Sequence, residues 1–251
     1  CGSKKDKSTV TTTPTDLSDE QPTTVDTSKE TSSDTKDDSN SEKSFGLTQK
    51  TADGTILQCF SWSFNTIKDS LEDIALAGYS TIQTSPVNAC YNGGDAGIDL
   101  NGSGKWYYHY QPTDWTIGNY QLGTKEEFKS MCEEADKYGI KVIVDVVPNH
   151  TTKSTEALGE GLLNAVGGID NLYHKKGKDE VSNYNDRGEC THQAVGGLFD
   201  VNTENIAFQN YFINYMNECI ACGADGFRFD TAKHIGLPDD PVEDSSMPNT
   251  F

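Results

Sequence analysis

Beyond about residue 45, short apolar runs alternate with longer stretches in which apolar residues recur every three or four positions. Thr55-Ile56-Leu57-Gln58-Cys59-Phe60 suits a buried strand. A helix follows from about Asn65 to Ala77, with Ile67, Leu71, Ile74 and Ala75 on one face and Gly78 as terminator. Thr81-Ile82-Gln83-Thr84 is a second strand stopped by Pro86, and a long loop rich in Gly, Asn and Tyr comes after it. Thr124-Lys125-Glu126-Glu127 reads as a capping box opening a helix with Phe128, Met131, Cys132 and Ala135 inward and Gly139 at its end. Lys141 to Val147 is nearly all apolar, as buried parallel strands are. The next helix, Glu204 to Cys222, turns Phe208, Tyr211, Phe212, Tyr215, Met216, Cys219 and Ile220 to the core and ends at Gly223. Gly226-Phe227-Arg228-Phe229-Asp230 is a fourth strand. Alternation at this spacing implies βαβ units and a parallel sheet.

The first 44 residues break the pattern. They are Thr, Ser, Asp, Lys and Glu with almost no large apolar side chain, and such a segment cannot offset its conformational entropy by burial. It is expected to be a disordered tether. The leading Cys1-Gly2-Ser3-Lys4-Lys5 resembles the start of a mature bacterial lipoprotein, which implies an extracellular protein on the cell surface, held to the membrane only through a lipidated Cys1. The other reading of Cys1 is a fragment boundary. Against 39 Asp+Glu the chain has 20 Lys+Arg, a net charge of −19 that repels phosphate backbones and excludes a nucleic-acid partner. No apolar run approaches the roughly 20 residues of a spanning helix. The cysteines at 59, 90, 132, 190, 219 and 222 show no compact disulfide framework. Cys59, Cys132 and Cys219 fall at apolar positions and are expected to be buried thiols, and the lone Cys219-Ile220-Ala221-Cys222 is a weak metal or redox signal.

Asp145, Asn149, His150, Arg228 and Asp230 gather at the carboxyl ends of their strands, the rim where (β/α) barrels build active sites. The stretch from His150 to Leu198 is too long for a crossover loop and is expected to be a small inserted subdomain. The organisation expected is therefore a tether over 1–44, a first part of the barrel over 45–149, the insertion over 150–198, and barrel continuation over 199–251.

Two segments carry the chemistry. Asp145-Val146-Val147-Pro148-Asn149-His150 closes the third strand, and Gly226-Phe227-Arg228-Phe229-Asp230-Thr231-Ala232-Lys233-His234 forms the fourth strand and its exit, roughly 80 residues on. With Trp106-Tyr107-Tyr108-His109-Tyr110-Gln111-Pro112 and Gly197-Leu198-Phe199-Asp200-Val201-Asn202, they resemble the α-amylase family, family 13 of the glycoside hydrolases. The resemblance runs from about Thr55 to His234 and implies a (β/α)8 TIM-type barrel, of which this chain carries the first four units. It implies retaining hydrolysis of α-1,4-glucosidic bonds in starch, amylose and maltooligosaccharides, by a monomer.

By this resemblance Asp230 is the carboxylate nucleophile and Arg228, two residues earlier on the same face, holds it ionised. On the residues alone, the two also read as a structural ion pair. His150 resembles a substrate-binding histidine and Asp145 a rim aspartate that orients its neighbours, while Lys233 and His234 resemble contacts to sugars beyond the cleavage point. Tyr110 matches a tyrosine whose face covers a pyranose, with Trp106, Tyr107 and Gln111 extending the subsites. Some of the six aromatics between Trp106 and Tyr120 belong to packing. Calcium is implied too, on the Asn149 side chain, the Asp200 carboxylate and the His234 carbonyl, with a further carbonyl near Glu189 to Gln193. A zinc reading of His150, His192 and His234 lacks motif spacing. Arg228 also resembles an arginine that holds chloride in some members, which leaves chloride open.

The resemblance places a general-acid Glu after a fifth strand and a further Asp after a seventh, and no residue here occupies those positions. Without its acid the nucleophile loses roughly 10²–10⁴-fold, so the 251 residues alone are expected to be inactive. Two alternatives stand beside hydrolysis: a non-catalytic cell-surface glucan-binding lipoprotein, and a sibling α-glucosidase or glucan transferase.

Overall fold

The computed structural model describes residues 45–93 and 105–251, all within one compact unit. The expected tether with Cys1, and part of the Gly- and Asn-rich loop, lie outside the described residues.

In chain order, β1 (Ile56–Cys59) leads to α1 (Phe64–Asp69) and α2 (Leu71–Leu76). One helix was expected here. The chain instead breaks at Ser70, whose N–H bonds the Ile67 carbonyl and whose hydroxyl bonds the Thr66 carbonyl, closing the first helix locally. Both pieces keep the expected inward face, with Ile67 and Leu71 fully buried. β2 (Thr81–Thr84) precedes β3 (Asn88–Cys90), which pairs antiparallel with β4 (Pro112–Ile117) across the long loop. The sequence pattern missed this hairpin because its two arms lie some twenty residues apart and neither is strongly apolar. Next come α3 (Lys125–Lys137), with its Thr124/Glu127 capping box formed as expected, and β5 (Lys141–Val146).

The insertion opens with β6 (His150–Thr151), continues through α4 (Glu160–Val166), α5 (Ile169–Leu172) and α6 (Arg187–His192), and closes with β7 (Phe199–Asp200). β6 and β7 pair antiparallel, so its two ends meet. Leu162, Val166, Leu172 and Tyr173 of this stretch join the same buried cluster as the sheet. α7 (Ile206–Ala221) begins two residues later than expected, because Asn205 rather than a residue before it caps the helix by accepting from the Ala207 N–H. That leaves Glu204 outside the helix, with its carboxylate directed elsewhere. Gly223 ends the helix at φ 108°, where a Cβ would sit 2.8 Å from Cys132. β8 (Gly226–Phe229) completes a parallel sheet ordered β1-β2-β5-β8.

Sheet and helices meet in one core. Phe64 and Phe128 bring α1 onto α3 with ring centroids 5.2 Å apart, and Trp115 of β4 stands edge-on to Phe208 of α7 at 4.9 Å. Cys59, Cys132 and Cys219 are buried free thiols, as expected, and burial pushes Cys219 up to about 12, which suits packing rather than redox chemistry. Two expectations of burial fail: Ile220 is 53% exposed, because the face of α7 opposite the sheet turns to solvent, and β1, expected as a buried strand, exposes Ile56 because it is the outer strand of the sheet.

Phe212 and Ile220 lie on the same helix in opposite environments. Phe212→Ala is expected to cost about 3–5 kcal/mol in denaturant unfolding, and Ile220→Ala under about 0.5 kcal/mol. Equal losses would contradict the face assignment.

Candidate active site

The site is built on the register of two neighbouring strands. Asp145 of β5 lies beside Arg228 of β8. Asp145 has no exposed surface, and a carboxylate at such depth needs partners on both oxygens. Arg228 Nη1 donates to Asp145 Oδ1 at 3.0 Å and Oδ2 at 3.1 Å, and the Tyr110 hydroxyl donates to Oδ2 at 2.9 Å. The same Nη1 donates to Asp230 Oδ1 at 2.7 Å, so one guanidinium holds two carboxylates. The second oxygen of Asp230 accepts from Thr231 Oγ1 at 2.5 Å. Thr231 adopts φ 56°, a left-handed conformation that a β-branched residue rarely takes, and this is the turn that leaves Asp230 facing the cleft.

Burial is the largest influence on Asp145 and pushes its carboxyl up to about 6, against the pull of Arg228 and Tyr110. Burial opposes the charge on Arg228, but Asp145 and Asp230 outweigh it and hold the guanidinium above its ordinary value. Burial lowers His150.

In front of these groups lies a cleft of about 520 Å³ lined by Trp106, Tyr110, Gln111, His150, Asp230 and Thr231, among others. Six residues expected from three parts of the sequence, Tyr107 among them, thus meet in one cavity. Trp106 is 53% exposed and meets Tyr107 and Tyr110 edge-on, with centroids at 6.0 and 6.4 Å. Gln111 accepts from Thr152 Oγ1 at 3.4 Å. His150 lines the cleft, yet its Nε2 proton goes to the Tyr110 carbonyl at 3.0 Å rather than into open space. Lys233 and His234 do not line this cleft. Lys233 donates to the Tyr184 carbonyl at 3.1 Å, and the buried His234 donates from Nδ1 to the Cys190 carbonyl at 2.8 Å, so both face the insertion.

The expected calcium ligands Asn149 and Asp200 are 1% exposed and come together where β6 meets β7. Asp200 Oδ1 is buried without a hydrogen-bond partner. A bare carboxylate oxygen at such depth is what a hard cation takes, so these oxygen donors fit calcium. Asp200 Oδ2 accepts from His174 Nδ1 at 2.5 Å, and His174 Nε2 lies 2.5 Å from Glu204 Oε2. Burial pushes Asp200 up to about 7. His174 and Glu204 escaped the sequence reading. The one available signal was a histidine and a glutamate flanking Asp200 within a stretch expected to bind metal.

A profile of the alpha amylase catalytic domain matches residues 43–250. An α-amylase of Butyrivibrio fibrisolvens is 58% identical over 191 residues, 76% of this chain and 19% of the relative. One of Clostridium acetobutylicum is 41% identical over 192 residues, 75% of this chain and 24% of the relative. The chain therefore spans about a fifth to a quarter of the length of these relatives. Among solved structures, an α-amylase from Geobacillus thermoleovorans complexed with acarbose superposes with a TM-score of 0.59 at 23% identity, over 73% of this chain and 41% of that one. α-Amylase I from Eisenia fetida gives 0.60 at 24%, over 72% and 38%.

A pH dependence follows from Asp145. Its folded value near 6 lies above the unfolded value of 3.8, so between these the native state holds the extra proton. Stability relative to Asp145→Asn is expected to fall as pH rises from about 4 to about 6 and then to level off. Thermal melts of both proteins across that range check the sign, and a rising difference would overturn it.

Proposed function

The chain belongs to the α-amylase family of glycoside hydrolases, and from that premise we propose that the protein carrying it hydrolyses α-1,4-glucosidic bonds in starch and maltooligosaccharides with retention of configuration. The observation that carries the proposal is Arg228 Nη1, which holds Asp145 inside the sheet and Asp230 at the edge of an aromatic-lined cleft. In this reading Asp230 attacks the anomeric carbon as the bond to the leaving glucan oxygen breaks, that oxygen taking a proton from a general acid that is not among these 251 residues, and water then cleaves the glycosyl ester. Arg228 keeps Asp230 ionised before attack, and the Thr231 hydroxyl on the other oxygen fixes the orientation of the carboxylate. Tyr110 offers a ring face to a pyranose, while its hydroxyl and carbonyl are held by Asp145 and His150. His150 thereby acts through Tyr110 as well as lining the cleft.

The four parallel strands are in this reading part of an eight-stranded barrel. Supporting it, the two outer strands carry exposed apolar residues, Ile56 at 46% and Phe229 at 38%, as strands awaiting neighbours do. Calcium would be held by Asn149, Asp200 and the His234 carbonyl, tying the insertion to the segment after β8. It supplies fixed positive charge to the bare Asp200 oxygen and takes no part in bond breaking.

Asp230→Asn in the full-length protein that carries this chain is expected to abolish reducing-sugar release from starch while amylose binding persists. Undiminished turnover would remove Asp230 from this role. Asp200→Ala is expected to lower the melting temperature in calcium and to erase the difference between calcium and chelator. A variant that still gains stability on addition of calcium would sink the calcium assignment.

A further inference from the structure

Among the described residues, one cluster outside the cleft has the donors of a transition-metal site. A ring nitrogen of His174, a ring nitrogen of His192 and a carboxylate oxygen of Glu204 lie within 4.8 Å of one another, and all three residues are buried. They come from three parts of the fold: the segment after α5, the last residue of α6, and the residue preceding the α7 cap.

Hydrogen bonding decides which atoms point inward. His192 Nδ1 lies 2.8 Å from the Gly188 carbonyl. A carbonyl only accepts, so Nδ1 carries the proton and Nε2 is left with a lone pair. That Nε2 is buried, in a residue only 6% exposed, and has no partner. His174 Nδ1 faces Asp200 Oδ2, a carboxylate oxygen, and so carries a proton in turn. In the neutral ring, Nε2 would then direct a lone pair at Glu204 Oε2 from 2.5 Å. Two lone pairs at that separation repel, so a proton fills the gap as the atoms stand, and a metal ion would be held once the two atoms part to about 3.3 Å.

His192 separates these two cases. A proton on His174 Nε2 satisfies Glu204 but leaves the His192 lone pair buried and unmatched, at the cost of any buried unpaired polar group. A metal ion takes all three donors at once. We propose that His174, His192 and Glu204 bind a divalent transition-metal ion of the zinc class, with Asp200 orienting His174 from behind. A carboxylate on the far nitrogen of a ligating histidine fixes its tautomer and sharpens its basicity. Two imidazoles and one carboxylate suit zinc and disfavour calcium, which takes oxygen ligands. Tetrahedral bonds of about 2.0–2.1 Å would place the donor atoms about 3.3 Å apart, so His174 Nε2 and Glu204 Oε2 would open from 2.5 Å by about 0.8 Å and no other pair would close by more than about 1.5 Å.

Open space adjoins two of the three donors, while His192 lines a separate cavity. His174 and Glu204 form part of the wall of a cavity of about 160 Å³, together with Asn202, whose Oδ1 is also buried without a partner. A metal-bound water would find its acceptor there. Asp200 then faces two ions, with Oδ2 on the ligating histidine and Oδ1 on the calcium proposed above. The zinc site does not depend on glucan hydrolysis, and its failure would leave that reading intact.

The test is zinc titration of the full chain with calcium in excess, in competition with a chromophoric chelator. Cobalt(II) serves as a spectroscopic substitute. One zinc per chain is expected, with cobalt giving visible tetrahedral bands and no thiolate charge-transfer absorption. His192→Gln removes the unpartnered Nε2 and also the Nδ1 bond to the Gly188 carbonyl, so its metal-free melt is expected below the parent's and zinc affinity is measured at a temperature where the variant is folded. Its zinc affinity should fall at least about 10-fold, the loss that removing even an outer partner brings. Glu204→Gln keeps a hydrogen-bonding group beside His174 and should weaken zinc likewise. Absence of zinc at one equivalent, thiolate bands, or undiminished affinity in both variants would overturn the proposal and leave His174 as a protonated bridge.

Discussion

The site depends on the cost of a charge held inside a parallel sheet. Asp145 has no exposed surface and sits on the most apolar strand of the molecule, where an unpaired carboxylate would be strongly destabilising. Arg228 meets it from the adjacent strand and Tyr110 from the aromatic segment, so three chain segments are tied to one buried group. The arginine has capacity left after pairing Asp145, and it holds Asp230 with the same nitrogen. The position of the cleft carboxylate is therefore a consequence of how the buried one is satisfied.

A second set of polar contacts fastens the insertion to the segment that follows β8. Arg187 of α6 donates through Nε to Asp240 Oδ1 at 2.9 Å and also bonds the Lys233 and Ile235 carbonyls. His234 reaches back to the Cys190 carbonyl. The bond from Arg187 is the main reason the Asp240 carboxyl is lowered to about 2. These contacts surround the β6/β7 junction, where Asp200 carries one bonded and one bare oxygen. Cations at this junction would join the insertion to the sheet by charge, while Leu162, Leu172 and Tyr173 join it by packing. The chain's net charge of −19 makes such cations more favourable still.

Much of this was legible in the residues. The strands β1, β2, β5 and β8 announced themselves as short apolar runs, and α3 and α7 by apolar spacing with a capping box at Thr124 and a glycine at 223. The polar residues at the ends of β5 and β8 were visible because a strand's exit is a local feature, and the same holds for the aromatic run at Trp106 to Tyr110. Less legible was the break at Ser70, where a hydroxyl turned to the preceding turn divides an uninterrupted apolar pattern. Ile220 was misplaced because helical periodicity says which residues share a face and not how wide the buried face is.

By itself, then, the sequence determined the order of strands and helices, their caps and ends, and the residue types brought to the strand exits, since each depends on neighbours within a few positions. Only the tertiary structure decided the β3–β4 pairing, the placing of Asp145 beside Arg228, the turning of Lys233 and His234 towards the insertion, and the convergence of His174, His192 and Glu204. Strand register and the folding-back of the insertion set these together. They are long-range consequences of packing and of pairing buried charge, and no local period along the chain encodes which distant side chains will meet.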